Sequence, residues 1–194
     1  MILSKEKNLK IDISDLINGF CRNNQFEKFI LVVPTNRRLR SLKKKLISEN
    51  SAKAASGINL ETLTTMFGKI LGRKKSFISL NDALAMMFLK EAFSGCELNY
   101  FKTIKNNIPK GTIERIKNVL SEYKKHGVTP EMLLKESNLL NGSEKLKAED
   151  ISKIYEKYIW MCDSLSVFEP GDIYRNLLAF GLDDIKSEFR SFYQ

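Results

Sequence analysis

The chain has 194 residues, of which 43% are hydrophobic and 28% charged, a composition that excludes a disordered chain and suits one domain, or one domain with a sizeable insertion. It contains no run of about twenty apolar residues, so we expect no membrane span, and residues 1–10 do not form a signal peptide. Three dispersed cysteines, Cys21, Cys96 and Cys162, predict buried thiols in a reducing cytoplasm, and the single histidine, His126, leaves little for a metal site or an imidazole base.

Positive charge is concentrated in one segment of the chain. Between Arg37 and Lys75, eleven Lys/Arg stand against two acids, Glu49 and Glu61, which gives +9; the whole chain is also +9, so the remaining residues sum to zero. Such a concentration favours contact with a polyanion, and nucleic acid is the first candidate. The alternative is a solvated face that keeps the chain soluble.

In chain order, apolar spacing first predicts a helix over about residues 12–23. Phe29–Val33 is apolar at every position and ends at Pro34, which predicts a strand covered on both faces, as in a parallel sheet. Thr35 or Asn36 can then cap a helix. That helix turns three leucines to one side: Leu39, Leu42 and Leu46.

The rest of the chain predicts mainly helices. Residues 57–59 suggest a short second strand, followed by a helix from Leu60 to Gly72. Further helices are predicted over residues 79–95, 113–125, 151–165 and 170–181, with another starting at Thr129-Pro130-Glu131. Because one or two strands cannot form a sheet covered on two faces, either Phe29–Val33 is misassigned or sequence outside this chain completes the sheet. We interpret the chain as a fragment of a longer protein.

The basic helix has its cations in an unusual place. Arg37 and Arg38 fall in its first turn, next to the positive end of the helix dipole, which costs roughly 0.3–1 kcal/mol per charge. The placement becomes favourable if an anion binds there, since free N–H groups at a helix start hold phosphate. Arg40, Lys44 and Lys45 spread over the face opposite the leucines. The alternative is a surface helix that tolerates the cost.

A strand followed by Pro34-Thr35-Asn36-Arg37 and a basic helix resembles motif Ia of the UvrD-like superfamily-one helicases. The segment Ile58–Phe67 resembles the next motif, a Thr–apolar pair that opens a helix. In that family both motifs lie on the first RecA-like domain and touch single-stranded DNA. The resemblance therefore implies a DNA site in which one group of residues holds phosphates: Thr35, Asn36, Arg37 and Arg38. Thr62 and Thr65 form a second contact, and long-range attraction comes from Arg40, Lys44 and Lys45.

Later segments are similar, in their order, to the helical 1B insertion of those helicases: Ile108–Thr112, Leu120–Glu131, Lys145–Tyr158 and Glu169–Tyr174. The closest resemblance is to the AddB/RexB-type subunit of bacterial helicase–nucleases, which process broken DNA ends. It implies a mostly helical α/β fold with a partial RecA-like core at 1–78, a helical 1B-like insertion at 79–181 and a return to the core at 182–194. It also implies cytoplasmic work in DNA repair and recombination, with single-stranded or end-proximal DNA and an AddA-type subunit as partners.

One departure from the helicase pattern bears on the chemistry. A helicase motor needs a glycine-rich phosphate loop followed by Lys-Ser/Thr. Here Gly68-Lys69 is followed by Ile70, and Leu63 stands where the first glycine belongs. We therefore expect no ATP hydrolysis, no catalytic residues, and no cofactor or metal in this chain. In AddB-type proteins the nuclease centre, and sometimes an iron–sulfur cluster, lies near the far C-terminus.

Other candidate sites have plainer interpretations. The acidic pairs Glu149-Asp150 and Asp183-Asp184 are expected at the surface or at helix ends. Three aromatic side chains could stack on bases (Tyr155, Tyr158 and Trp160), but the two tyrosines share an apolar stripe and are expected in the core. Asp172 with Tyr174 is interpreted as a helix start. The rival to DNA binding is a helical protein-interaction module whose basic patch faces an acidic partner; a self-contained enzyme is the weakest hypothesis.

Overall fold

The computed structural model describes residue 19, residues 30–49 and residues 59–193. The described chain is mostly helical with two small parallel sheets, which confirms the predicted mostly helical α/β class. The predicted helix over 12–23 lies outside the described residues, apart from residue 19, which is helical. The elements are β1 Leu31–Val33, α1 Asn36–Glu49, β2 Leu60–Thr62, α2 Leu63–Lys74, β3 Ile78–Ser79, α3 Asp82–Gly95, α4 Lys110–Lys125, α5 Pro130–Ser137, α6 Gly142–Ser164, β4 Val167–Phe168, α7 Pro170–Leu178 and α8 Leu182–Tyr193.

The chain divides into two compact units: Met1–Met66 with Lys186–Gln194, and Phe67–Ile185. In the first unit β1 and β2 pair in parallel, with Leu31 opposite Leu60 and Val33 opposite Thr62. The strand prediction at Phe29–Val33 is thus confirmed over Leu31–Val33. The expected burial of both faces is wrong, because Val33 is buried while Val32, pointing the other way, is 37% exposed.

The second strand and the helix after it differ from the sequence prediction. The strand covers Leu60–Thr62, whereas the prediction placed it at 57–59, of which only Asn59 is described. Leu60 therefore belongs to a strand, and α2 starts at Leu63, whose side chain is 50% exposed. The helix also continues past Gly72 to Lys74, because one glycine costs a helix only about 1 kcal/mol.

The second unit, Phe67–Ile185, holds the main hydrophobic core. The core is built where α3, α4 and α6 pack together, and its innermost side chains come from all three helices: Leu89, Phe93, Ile113, Leu120, Ile154, Tyr155 and Tyr158. The predicted burial of Tyr155 and Tyr158 is confirmed. A two-residue parallel ladder, β3 with β4, adds long-range pairing that the sequence pattern did not predict.

Most helix ends in the second unit are formed by the residues that the sequence indicates. Thr129 accepts a hydrogen bond from the Met132 N–H at 3.2 Å, so the predicted start of α5 is confirmed. Gly127 adopts φ +71° directly after α4, as a glycine beyond a helix end commonly does. One detail was wrong: the helix predicted over 79–95 starts only at Asp82, with Asn81 as its cap, because Ser79 lies in β3. A further helix, α8, follows Gly181.

Candidate nucleic-acid interface

The carboxyl ends of β1 and β2 meet at one edge of their sheet. Since the strands run parallel, with Val33 opposite Thr62, the chain leaves both strands on the same side. One exit leads to α1 at Asn36 and the other leads directly to α2 at Leu63. The two segments that resemble helicase motifs are therefore neighbours, and two helix starts face the same edge. Free N–H groups at helix starts are suited to phosphate oxygens.

The start of α1 is capped as predicted. The Thr35 hydroxyl oxygen accepts a hydrogen bond from the Arg38 N–H at 3.2 Å. Thr35, Asn36, Arg37 and Arg38 are all exposed, and the first turn of α1 has no acidic residue to balance the arginines. Within the described chain neither Arg37 nor Arg38 forms an ion pair. Two guanidinium groups are thus presented to solvent at the sheet edge.

The cations continue along α1, which contains six Lys/Arg and a single acid, Glu49, in its last turn. Arg40, Lys44 and Lys45 are exposed, whereas Leu39 and Leu42 are half-buried on the other side, in agreement with the amphipathic pattern. The charge is local: residues 76–185 hold fourteen Lys/Arg and sixteen Asp/Glu, a net −2. Attraction for a polyanion is therefore strongest at α1 and its neighbours.

Thr62 and Thr65 cap α2 reciprocally. The Thr62 hydroxyl accepts from the Thr65 N–H at 3.2 Å, and the Thr65 hydroxyl oxygen accepts from the Thr62 N–H at 2.9 Å. The Thr65 hydroxyl also lies 3.0 Å from the Thr62 carbonyl oxygen. This arrangement follows the logic of a capping box. Thr62 is buried and Thr65 is exposed, so Thr62 fixes the start of α2 while Thr65 is accessible at the edge.

A buried ion cluster in the second unit was missed by the sequence analysis. The Lys124 Nζ lies 2.9 Å from both the Asp172 Oδ2 and the Glu169 Oε1, and the exposed side-chain fractions of these residues are 3%, 0% and 12%. Burial lowers the pKa of Lys124, but the negative groups around it, chiefly Asp172, raise that pKa above its ordinary value. Lys124, near the C-terminal end of α4, is thus the centre of a closed ion cluster that joins α4 to Glu169 and α7.

Gly171 explains how α4 and α7 approach so closely. A Cβ at this position would lie 2.4 Å from the Lys124 Cβ and 2.6 Å from its carbonyl carbon. Asp172 also accepts a hydrogen bond from the Glu169 N–H at 3.1 Å, so the helix-start interpretation of Asp172 is confirmed, but it describes only part of its role. Glycine inside the first turn of α7, where alanine would favour the helix, was the sequence signal for this contact.

Asp150 corrects the interpretation of the acidic pairs. Its side chain is fully buried and accepts hydrogen bonds from three consecutive backbone N–H groups, those of Asn99, Tyr100 and Phe101, at 3.0, 2.8 and 3.0 Å. The expectation of a surface charge is wrong for this residue because the turn after α3 supplies three donors. Asp183 and Asp184 are exposed, as expected.

The remaining candidates divide by exposure. Trp160 is 59% exposed. Cys162 is buried, as predicted, and burial raises the pKa of its thiol to about 12; Cys96 is half-buried and Cys21 lies outside the described residues.

Across the described ranges no three His, Cys, Asp or Glu side chains group as a metal site. No helix in that same part of the chain is long and apolar enough to cross a membrane.

No protein-family model matches the chain, and no curated protein is found to be similar to it in sequence.

Proposed function

We propose that this chain is the DNA-binding, non-hydrolysing, helicase-like portion of an AddB-type helicase–nuclease subunit that acts in DNA-break repair and recombination. The observation that carries the proposal is the meeting of Thr35–Arg38 and Thr62–Thr65 at one sheet edge, with Arg37 and Arg38 exposed there. These are the two segments that resemble DNA-contacting helicase motifs.

The site would act on the phosphate backbone. Arg37 and Arg38 pair with phosphate oxygens, beside the N–H groups of the first turn of α1 and the exposed hydroxyl of Thr65. Thr62 holds the start of α2 in place. Arg40, Lys44 and Lys45 add attraction over a longer range. Contacts of this kind fix position, give salt-sensitive affinity and carry little sequence preference.

The finer architecture is part of the same proposal. Two parallel strands, each followed by a helix, support a partial RecA-like core within residues 1–78, and the helices of residues 79–181 support a 1B-like insertion before the return at 182–194. The chain's role is to hold DNA in the cytoplasm for a longer subunit and its AddA-type partner. We assign no catalytic step to these residues, because Gly68-Lys69-Ile70 departs from the phosphate-loop pattern.

A binding experiment tests the proposal. Fluorescein-labelled single-stranded DNA is titrated with the chain at low salt, and anisotropy reports binding. The variant Arg37→Ala/Arg38→Ala should bind about tenfold or more weakly, since each charge-assisted contact is worth about 1.5–3 kcal/mol. The matched control is Lys90→Ala/Lys102→Ala, which removes two exposed cations from the second unit.

Equal losses for the two variants would mean that only net charge matters, and no binding by the unaltered chain would contradict the proposal. The latter result would favour the alternative of a helical module whose basic patch meets an acidic protein. Both variants remove the same charge from exposed positions, so nonspecific attraction is matched between them.

A further inference from the structure

Trp160 is an unusual side chain for its position. It is the only tryptophan in the sequence, and it lies on α6 with 59% of its surface exposed. The neighbouring aromatics of the same helix, Tyr155 and Tyr158, are buried in the core. The core therefore accounts for the two tyrosines, whereas most of the indole surface is open to solvent.

Two lysines share the face of α6 that carries Trp160. Lys153, Lys157 and Trp160 follow one another at spacings of four and three residues, which places them on the same side of the helix. The Lys157 Nζ lies 4.4 Å from the centroid of the indole ring. The Lys153 Nζ donates to the Glu97 carbonyl oxygen at 3.2 Å, which ties the same face to the end of α3. The indole remains 59% exposed with Lys157 above it.

The surroundings of Trp160 form an open groove of about 510 Å³. Its lining is Cys96, Glu97, Lys153, Glu156, Lys157 and Trp160. Burial raises the pKa of the Cys96 thiol, while Lys157, Lys105 and Lys153 all lower it, so three cations act on the groove. The lining itself balances Lys153 and Lys157 against Glu97 and Glu156, and Lys105 adds a third cation near Cys96.

We propose that this groove, the Trp160 face, is a second contact for single-stranded nucleic acid. A base stacks on the indole, and neighbouring phosphates of the strand meet Lys157 and Lys153. An exposed aromatic ring beside two cations suits a single strand, in which bases alternate with phosphates. Helix rise separates the two lysines by about 6 Å along α6, enough to reach different parts of one strand. The inference rests on the proposed function, because it adds a contact to the same ligand.

The single tryptophan makes the test direct. The chain is titrated with unlabelled oligo(dT) at low salt while Trp160 fluorescence is recorded, and the titration is repeated with an oligonucleotide of abasic sites. We expect oligo(dT) to quench the indole and the abasic strand to quench it far less, since only a base can stack. Equal quenching by both strands would overturn the stacking assignment.

Variants test the same contact through affinity. With labelled oligo(dT) and anisotropy, Trp160→Ala should lose about tenfold in affinity, whereas Trp160→Phe, which keeps a ring, should retain most of it. Lys153→Ala/Lys157→Ala should also weaken binding, more than the Lys90→Ala/Lys102→Ala control does. Because Trp160 is exposed, circular dichroism should show that Trp160→Ala is folded.

The two proposals fail in different ways. If anisotropy shows binding that depends on Arg37 and Arg38, while Trp160 fluorescence and the Trp160→Ala affinity stay unchanged, the Trp160 face is not a contact and the proposed function stands. If Trp160 is quenched and Arg37→Ala/Arg38→Ala binds normally, the Trp160 face is a contact and the site on α1 is wrong. Binding of an acidic protein at this face, with no response to oligo(dT), would overturn the inference.

Discussion

Replacing Lys124 by Met removes the cation that faces two carboxylates in the second unit. The methionine keeps most of the volume of the aliphatic stem, so the loss is mainly that of the charge. Asp172, which is fully buried, keeps only the Arg175 Nη2 at 3.4 Å and the Glu169 N–H at 3.1 Å. Leaving a buried charge without its partner costs about 3–5 kcal/mol, and we expect the lower end because Arg175 remains.

Trp160 fluorescence is a suitable probe for this experiment, since Trp160 lies in the same unit as Lys124. Guanidinium unfolding should show a lower midpoint with an unchanged slope, which gives the change in the free energy of unfolding. A double-mutant cycle with Asp172→Asn isolates the pair. A cost below about 1 kcal/mol for Lys124→Met, or strict additivity in the cycle, would refute the assignment of a coupled buried pair.

The same variant has a defined dependence on pH. Burial lowers the pKa of Lys124, but Asp172, Cys162 and Glu169 outweigh it, so its pKa in the folded state lies above the ordinary 10.5. The folded state thus binds this proton more tightly than the unfolded chain. The resulting stability is fully present below pH 10.5 and is lost as the pH rises through the raised pKa. The free energy of unfolding of the unaltered chain should therefore approach that of Lys124→Met as the pH rises above 10.5. Around neutral pH the difference between the two should not change with pH.

The remaining stability predictions concern two tightly packed positions. Gly171→Ala should lower the free energy of unfolding by about 1–3 kcal/mol, because the new Cβ meets Lys124 backbone that cannot move cheaply. Gly111→Ala, at the same second position of α4 but with open space around it, is the matched control and should be neutral or raise stability by about 0.4–1 kcal/mol. Asp150→Asn should cost about 1.5–3 kcal/mol, because an amide cannot accept all three N–H bonds; Glu149→Gln is its control, and equal effects on denaturant midpoints would contradict the assignment.

Features governed by neighbouring residues could be predicted from the sequence. Thr35 and Thr129 cap helices as expected, because a cap depends on a side chain and an N–H only three residues away. The apolar stripe of α6 placed Tyr155 and Tyr158 in the core for a similar reason. The exposed arginines of α1 also followed from helical spacing alone.

Features that depend on distant partners could not be predicted in this way. Lys124 and Asp172 are separated by 48 residues, and Asp150 finds its donors about fifty residues earlier. Asp150 was expected at the surface or at a helix end, and Asp172 only as a helix start, because nothing near either residue in sequence shows its distant partner. The strands β3 and β4 have two residues each, which is too short for the alternation of apolar and polar residues that predicts a strand. Thr62 was expected, with Thr65, to contact DNA; its burial depends on the pairing of β2 with β1.

The central claim is that Arg37 and Arg38 hold phosphates at the edge formed by β1 and β2, and a salt titration of DNA affinity measures this most directly. On a single strand each phosphate contact contributes about 0.7 to the slope of log affinity against log salt concentration. Arg37→Ala/Arg38→Ala should therefore lower that slope by about 1.4, while Lys90→Ala/Lys102→Ala leaves it unchanged. An unchanged slope in the arginine variant would contradict the account.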